Sequence, residues 1–357
     1  MDTGGRFITW VDRHSTLAIL IIPLLIFAAL VAHFGGTILE SVAVILFINL
    51  MLVTGLQMFM GNSGASSFCH TGFMAIGAYI SAILTLTVQD KAIAMPELYQ
   101  VLAQIHWPFM PAMLVAAAVA TLVAAVIIFP VMRLSGPAAA ISTFALLIIS
   151  NSVITHWEKL TNGTRAIYGL ERYTTVWTSA IFGILSIVVA YWFKESRLGL
   201  ELRASREDEQ AAASIGINIP RARYVAFVSS IFVTGIAGVL WAHFVRSFSP
   251  KCFYLTQTFM VVAMLIIGGS GSVSGAVVGT IAVTVILEGL RYVENSINLA
   301  GILPFTIIGI PVLTLCVAMI LILILRPGGI IAGREIRMQS KWGRSGPATL
   351  EPTEQEG

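Results

Sequence analysis

Residues 205–227 read SREDEQAAASIGINIPRARYVAF, a polar island in a chain that is otherwise strongly apolar. Three consecutive acids, Glu207, Asp208 and Glu209, are followed by three alanines, then by Gly216, Pro220 and the arginines Arg221 and Arg223. Ser205 suits a helix N-cap, and Asp208 three residues later completes a capping-box pattern. Acids in a first turn are favoured by the helix dipole, a glycine suits the position after the last turn, and Pro220 prevents continuation. The pattern predicts a helix of about ten residues, roughly 15 Å long. Such a helix is too short to be stable alone in water and has no wide apolar stripe to bury. Ala211, Ala212, Ala213 and Ser214 are small and let another surface come close. Two readings follow: a helix that fits a groove on a partner, or a solvated linker.

The flanking sequence places this island beside a membrane. The chain has 357 residues, 57% hydrophobic and 11% charged, with a mean hydropathy of +0.88. An ordinary soluble domain has about 45–50% apolar and about 25% charged residues. Candidate spans fall near 16–33, 40–59, 66–87, 109–132, 137–156, 174–193, 223–245, 256–268, 275–292 and 303–325, the eighth being short and ending in glycines. The expected fold is all-α, a polytopic integral membrane bundle of about ten transmembrane helices. It divides into an N-terminus (1–15), a membrane domain (16–326) carrying a polar loop at 194–222, and a tail (327–357) rich in Gly, Pro and Glu that is expected to lack fixed structure at its end. The net charge of +3 forms no continuous patch, so nothing points to nucleic acid. The first apolar run follows Arg6 and Arg13 as a signal peptide would, yet lacks a convincing cleavage site and is expected to remain as a span. Cys69, Cys252 and Cys316 have neither metal nor redox spacing. With the N-terminus inside, 14 of the 21 Lys and Arg residues lie on the cytoplasmic side, mostly in the central loop and the tail. The positive-inside rule then places both termini in the cytoplasm.

Two stretches interrupt the apolar pattern alike: GNSGASSFCHTGF (61–73) and GGSGSVSGAVVG (268–279) are Gly and Ser clusters opening an apolar helix. Irregular backbone at membrane depth is tolerated only where protein or a water-filled cavity covers it, so the pair points to a transport path. Tight hairpins packed through small residues are the alternative.

The order Glu209, Ala211, Ala212, Gly216 resembles the coupling-helix motif of permease subunits in ATP-binding-cassette importers. SRLGLELRASREDEQAAASIGIN (196–218), GNSGASSFCHTGFMAIGAY, GVLWAHFVRSFSPKCF and IIGGSGSVSGAVVG are similar to the branched-chain amino acid subfamily from about Met51 to Arg326. The resemblance implies a subunit of a bacterial inner-membrane importer, with a second homologous permease, two cytoplasmic ATPases that bind ATP and Mg, and a periplasmic solute-binding protein. Arg206, Asp208, Glu209, Ala211, Ala212 and Gly216 would then form the surface that receives the ATPase. The chain itself carries no Walker A pattern, because none of Lys91, Lys159, Lys194, Lys251 or Lys341 precedes Ser or Thr. It also shows no nucleophile set, metal spacing or acid–base pair, so no catalysis and no cofactor of its own are expected.

Candidate path residues are Asn62, Ser63, Ser66, Ser67 and His70 in the first interruption and Ser270, Ser272 and Ser274 in the second. Each could equally bond between helices, and a packed, hydrogen-bonded histidine is the commoner fate for His70. Glu288 is an acid inside a span and therefore a functional candidate, although Arg291 three positions on makes a plain ion pair the favoured reading. His243, Arg246 and Lys251 are expected on the outer surface, where a binding protein would dock. In the loop 154–170, Asn162, Arg165 and Ala166 depart from the usual family pattern, which bears on the solute more than on import. Branched-chain or other hydrophobic amino acids are the expected solutes; urea, a short amide or an aromatic acid would suit the same machinery. An ion-coupled carrier would need Glu288 and His70 as its ion sites, and a non-transporting scaffold would leave the paired interruptions without a reward.

Overall fold

A computed structural model describes residues 3–299, 309–326, 328–331 and 335, and among them the protein is all-helical apart from one isolated bridge between Ile167 and Phe248. In chain order the helices are α1 (Thr3–Phe34), α2 (Thr37–Leu56), α3 (His70–Thr85), α4 (Val88–Ala94), α5 (Gln100–Ala103), α6 (Phe109–Ile128), α7 (Pro137–His156), α8 (Glu158–Thr161), α9 (Val176–Glu195), α10 (Arg197–Glu207), α11 (Glu209–Ser214), α12 (Ile219–Val245), α13 (Leu255–Gly268), α14 (Val273–Leu299) and α15 (Ile310–Leu325). Eight of these are long and apolar enough to cross a membrane, and α3 and α15 are shorter apolar helices. All ten expected spans fall on them, except that 303–308 and the end of the tail lie outside the described residues. The helix α1 starts at Thr3, ahead of its apolar run, since a helix need not stop where the hydrocarbon does.

Burial sorts the bundle into centre and rim. In α2 and its continuation 89% of the apolar stretch is buried, against 22% in α1 and in α7. At the centre α12 packs against α2, α3 and α6. Lipid tails are as apolar as the side chains facing them, so close van der Waals packing and interhelical hydrogen bonds must hold such helices together. The α13–α14 hairpin meets that demand through glycine: a Cβ on Gly279 would lie 2.1 Å from the Met264 carbonyl oxygen. Between α3 and α13, the hydroxyls of Thr71 and Thr258 hydrogen-bond.

The polar loop departs from its expected form. In place of one helix from Ser205, α10 begins at the cap Ser196, whose hydroxyl accepts the Gly199 N–H at 3.3 Å, and runs to Glu207. Ser205 lies inside α10, buried, donating its hydroxyl to the Leu202 carbonyl at 2.8 Å. Asp208 is the cap of α11, accepting the Gln210 and Ala211 N–H groups at 2.8 and 3.0 Å. A carboxylate makes charge-assisted bonds to those amides and suits the dipole better than a hydroxyl does. Gly216 follows the last turn at φ +87° as expected, whereas Pro220 sits in the first turn of α12, where its missing N–H costs nothing.

Gly279→Leu is expected to destabilise the protein by more than about 2 kcal/mol through overpacking. A melting temperature unchanged in detergent would show that the hairpin is not packed this closely.

Candidate functional site

The polar loop 196–218, both Gly/Ser interruptions, the 130–136 turn and the described tail residues meet at one end of the bundle. The chain reaches this end through α2, which widens into a π-helical turn, Gln57–Gly61, before an irregular stretch leads to His70. Extra-residue turns of this kind leave carbonyls unpaired and are frequent at functional positions. Here the Gly61 carbonyl accepts the Arg206 guanidinium at 2.7 Å. The stem of Arg206 lies against Gly64, so that a Cβ there would sit 2.9 Å from it. On its other side Gly61 meets the second interruption, where a Cβ would come within 2.3 Å of the Ser270 carbonyl oxygen. The two interruptions therefore touch, and a side chain of the polar loop holds the contact.

Beside this contact lies a cavity of about 960 Å³, lined by Ser63, Ser66, Ser270, Arg206, Glu209 and Arg223 among others. Its far wall is a second network. Arg223, buried at the start of α12, pairs with Glu209 and donates to the Ser135 hydroxyl at 3.1 Å and the Leu134 carbonyl at 3.3 Å. Ser135 donates to the other Glu209 oxygen at 2.7 Å. Burial alone would push the Glu209 carboxyl up, but the Ser135 bond and the Arg223 bond and charge outweigh it and hold the group below the usual carboxylate range. Both Glu209 oxygens thus have partners within the chain, while 43% of the side chain stays exposed. The exposed residues of α11 are Gln210, Ala211, Ala213, Ser214 and, at its end, Ile215 with 77% of its surface exposed. Ala212 turns inward and is buried.

The remaining candidates divide by position. Ser63, Ser66 and Ser270 share the cavity. Asn62 and Ser67 are buried, Asn62 donating to the Met58 carbonyl at 3.0 Å. His70 is interior: Nδ1 lies 3.0 Å from the Ser67 hydroxyl and Nε2 2.9 Å from Ser230 on α12, with Phe227 edge-on. Ser272 caps α14 by accepting the Gly275 N–H at 3.0 Å, and Ser274 bonds to Glu335. Glu288 is fourteen residues further along α14, about 21 Å away, and pairs with Arg291 at 2.7 Å on a partly exposed face. His243 is buried, contrary to expectation, with its two ring nitrogens against the Thr85 hydroxyl and the Glu171 carbonyl. Arg246 and Lys251 are exposed as expected. Sequence reasoning passed over Gln57, fully buried in the π-helical turn with neither amide atom partnered. A glutamine four residues before a glycine cluster was the available signal.

A family profile described as branched-chain amino acid transport system, permease component, matches residues 37–325. The chain is 29% identical over 327 residues to the high-affinity branched-chain amino acid transport system permease protein LivM of Escherichia coli K12, which covers 82% of this chain and 69% of that protein. Against the corresponding LivH of Salmonella typhimurium it is 23% identical over 302 residues, 80% of this chain and 92% of the relative. A probable LivM of Methanocaldococcus jannaschii matches at 27% over 165 residues, 45% and 48% of the two chains. No solved structure matches.

Glu209→Gln leaves Arg223 buried beside a neutral partner, and hydrogen exchange of the α11 amides is expected to quicken about tenfold, the loss of roughly one charge-assisted hydrogen bond. In the wild type that protection is present above the ordinary carboxylate pKa and fades only as pH falls through the depressed value; the variant should show no such acid dependence. Gln57→Met, which removes an unpartnered buried amide at similar volume, is expected to raise the melting temperature; a lowered one would mean the amide is already satisfied.

Proposed function

This chain belongs to the family of permease components of branched-chain amino acid transport systems, and on that premise we propose that it carries the solute path of an ATP-driven importer and turns a push on its polar loop into movement of that path. The partners are those the family implies: a second permease, two ATPases that bind ATP and Mg on the cytoplasmic side, and a periplasmic solute-binding protein. The polar loop and both termini then face the cytoplasm, in keeping with the distribution of Lys and Arg.

The observation that carries this reading is the Arg206 bond to Gly61 at the point where the two interruptions meet. An ATPase seated on Ala211, Ala213 and Ile215 would displace α11 and α10 together, because Asp208 joins them without a flexible linker. The Glu209–Arg223–Ser135 network would pass the same displacement to α12 and the 130–136 turn. Two packed arrangements of the bundle, exchanged by a small shift at the loop, make a mechanical switch. The path residues Ser63, Ser66 and Ser270 stand beside the moving contact.

An apolar amino acid is favoured over urea or a short amide by the ring cluster beside the first interruption. Phe68 lies 5.9 Å from Phe144 and 6.3 Å from Phe259, which is itself 45% exposed. An ion-coupled carrier is disfavoured because Glu288 is paired with Arg291 and both His70 nitrogens are bonded.

In proteoliposomes holding the assembled transporter, amino acid uptake is expected to require ATP and the ATPase subunits. Arg206→Ala should cut uptake at least about tenfold while leaving ATP hydrolysis within about twofold of wild type. Uptake driven by an ion gradient without the ATPases would sink the reading, and so would normal uptake by the Arg206 variant.

A further inference from the structure

A helix that stops inside a protein leaves carbonyls unpaired at its C-terminal end and amides unpaired at its N-terminal start. The second interruption has both, since α13 ends at Gly268 and α14 starts at Val273. The described tail residues supply the partners. The Ile330 and Ile331 amides donate to the Ile267 and Gly268 carbonyls at 2.9 and 3.2 Å. Glu335 accepts the Val273 and Ser274 amides at 2.9 and 3.1 Å and the Ser274 hydroxyl at 2.6 Å. Its carboxylate also pairs with Lys194, each side chain being only 5% exposed.

Lys194 is the last basic residue of α9, one turn before α10 begins. Its ammonium donates to the Gly271 carbonyl at 3.0 Å, within the interruption itself. Its own carbonyl accepts the Arg203 guanidinium of α10 at 3.1 Å. A continuous series of bonds thus runs from the polar loop, through Lys194, to both sides of the second interruption, and Glu335 is where the series closes. Burial would raise the Glu335 carboxyl, but Lys194, the Ser274 hydroxyl and the Val273 amide outweigh that and keep it below the usual carboxylate range. The group is therefore charged where the linkage needs it to be.

We propose that Glu335 is a positioning residue for coupling: together with Lys194 it fastens the second interruption to the root of the polar loop, as Arg206 fastens the first, so that both interruptions move with the loop. This rests on the proposed role as an ATP-driven permease. Without the fastening, α10 can be displaced while α13 and α14 stay behind, and hydrolysis proceeds with less solute carried per ATP.

The test uses the assembled transporter in proteoliposomes and the purified full-length chain. Glu335→Gln and Lys194→Met are each expected to lower the ratio of solute taken up to ATP hydrolysed at least about threefold. Combined, they should lower it no further than either alone, because one linkage is lost only once. Independently of transport, hydrogen exchange at Val273, Ser274, Ile330 and Ile331 should quicken about tenfold in Glu335→Gln, with the amides of α12 unaffected. An unchanged ratio in both variants overturns the proposal even if exchange quickens, and unchanged exchange overturns it whatever the ratio does. If the wild type itself shows no ATP-driven uptake, the proposed function fails, and the exchange measurement still decides whether Glu335 holds the interruption.

Discussion

Backbone that leaves a helix inside a bilayer has no water to bond to, and each of its amides and carbonyls must be matched from within the protein. In this chain two pairs of successive helices are joined by irregular backbone at the same end of the bundle, and these stretches press together where Gly61 meets the Ser270 carbonyl. The donors and acceptors that complete them come from elsewhere in the sequence: Arg206 for the first, Lys194 and Glu335 for the second. Placing those side chains requires the polar loop and the tail to lie against this end, and that requirement organises everything around it.

Several of the charges at this end are consequently bonded to backbone or side chains of the same chain. Arg206 is spent on a carbonyl, Arg223 and Lys194 on acids and carbonyls of their own chain, and Glu209 on Arg223 and Ser135. Past the acids and Gln210 at its start, what α11 offers outward is Ala211, Ala213 and Ser214, with Ile215 at its tip. Under the proposed function such a surface would receive the ATPase by shape, and the charged residues behind it would pass on the displacement. The Glu209 carboxylate joins α11 to α12, and its side chain still keeps 43% of its surface exposed beside the outward-facing alanines.

Much of this was open to reading from the residues alone. Hydropathy located the ten apolar helices, because burial in hydrocarbon is a property of each stretch by itself. The positions of the interruptions and of the polar loop followed from Gly, Ser and acidic clusters. The cap was assigned to Ser205 and belongs to Asp208, since both residues fit the local pattern and the difference lies in α10 continuing through Ser205 from the cap at Ser196. His243 was placed at the surface for its residue type and is buried because Thr85 and the Glu171 carbonyl satisfy its nitrogens. The alternative of tight hairpins packed through small residues holds for α13 and α14, and it coexists with a cavity beside the serines.

Local composition by itself determined that the chain is a membrane bundle, where its helices run and which loop carries the small-residue helix, for these depend on neighbours a few positions apart. Only the tertiary structure decided which groups meet: Lys194 and Glu335 are 141 positions apart, and Arg206 and Gly61 are 145. No periodicity encodes such pairs, because they arise when unpaired backbone at the end of one helix recruits whatever donor or acceptor the packing of the others brings within reach.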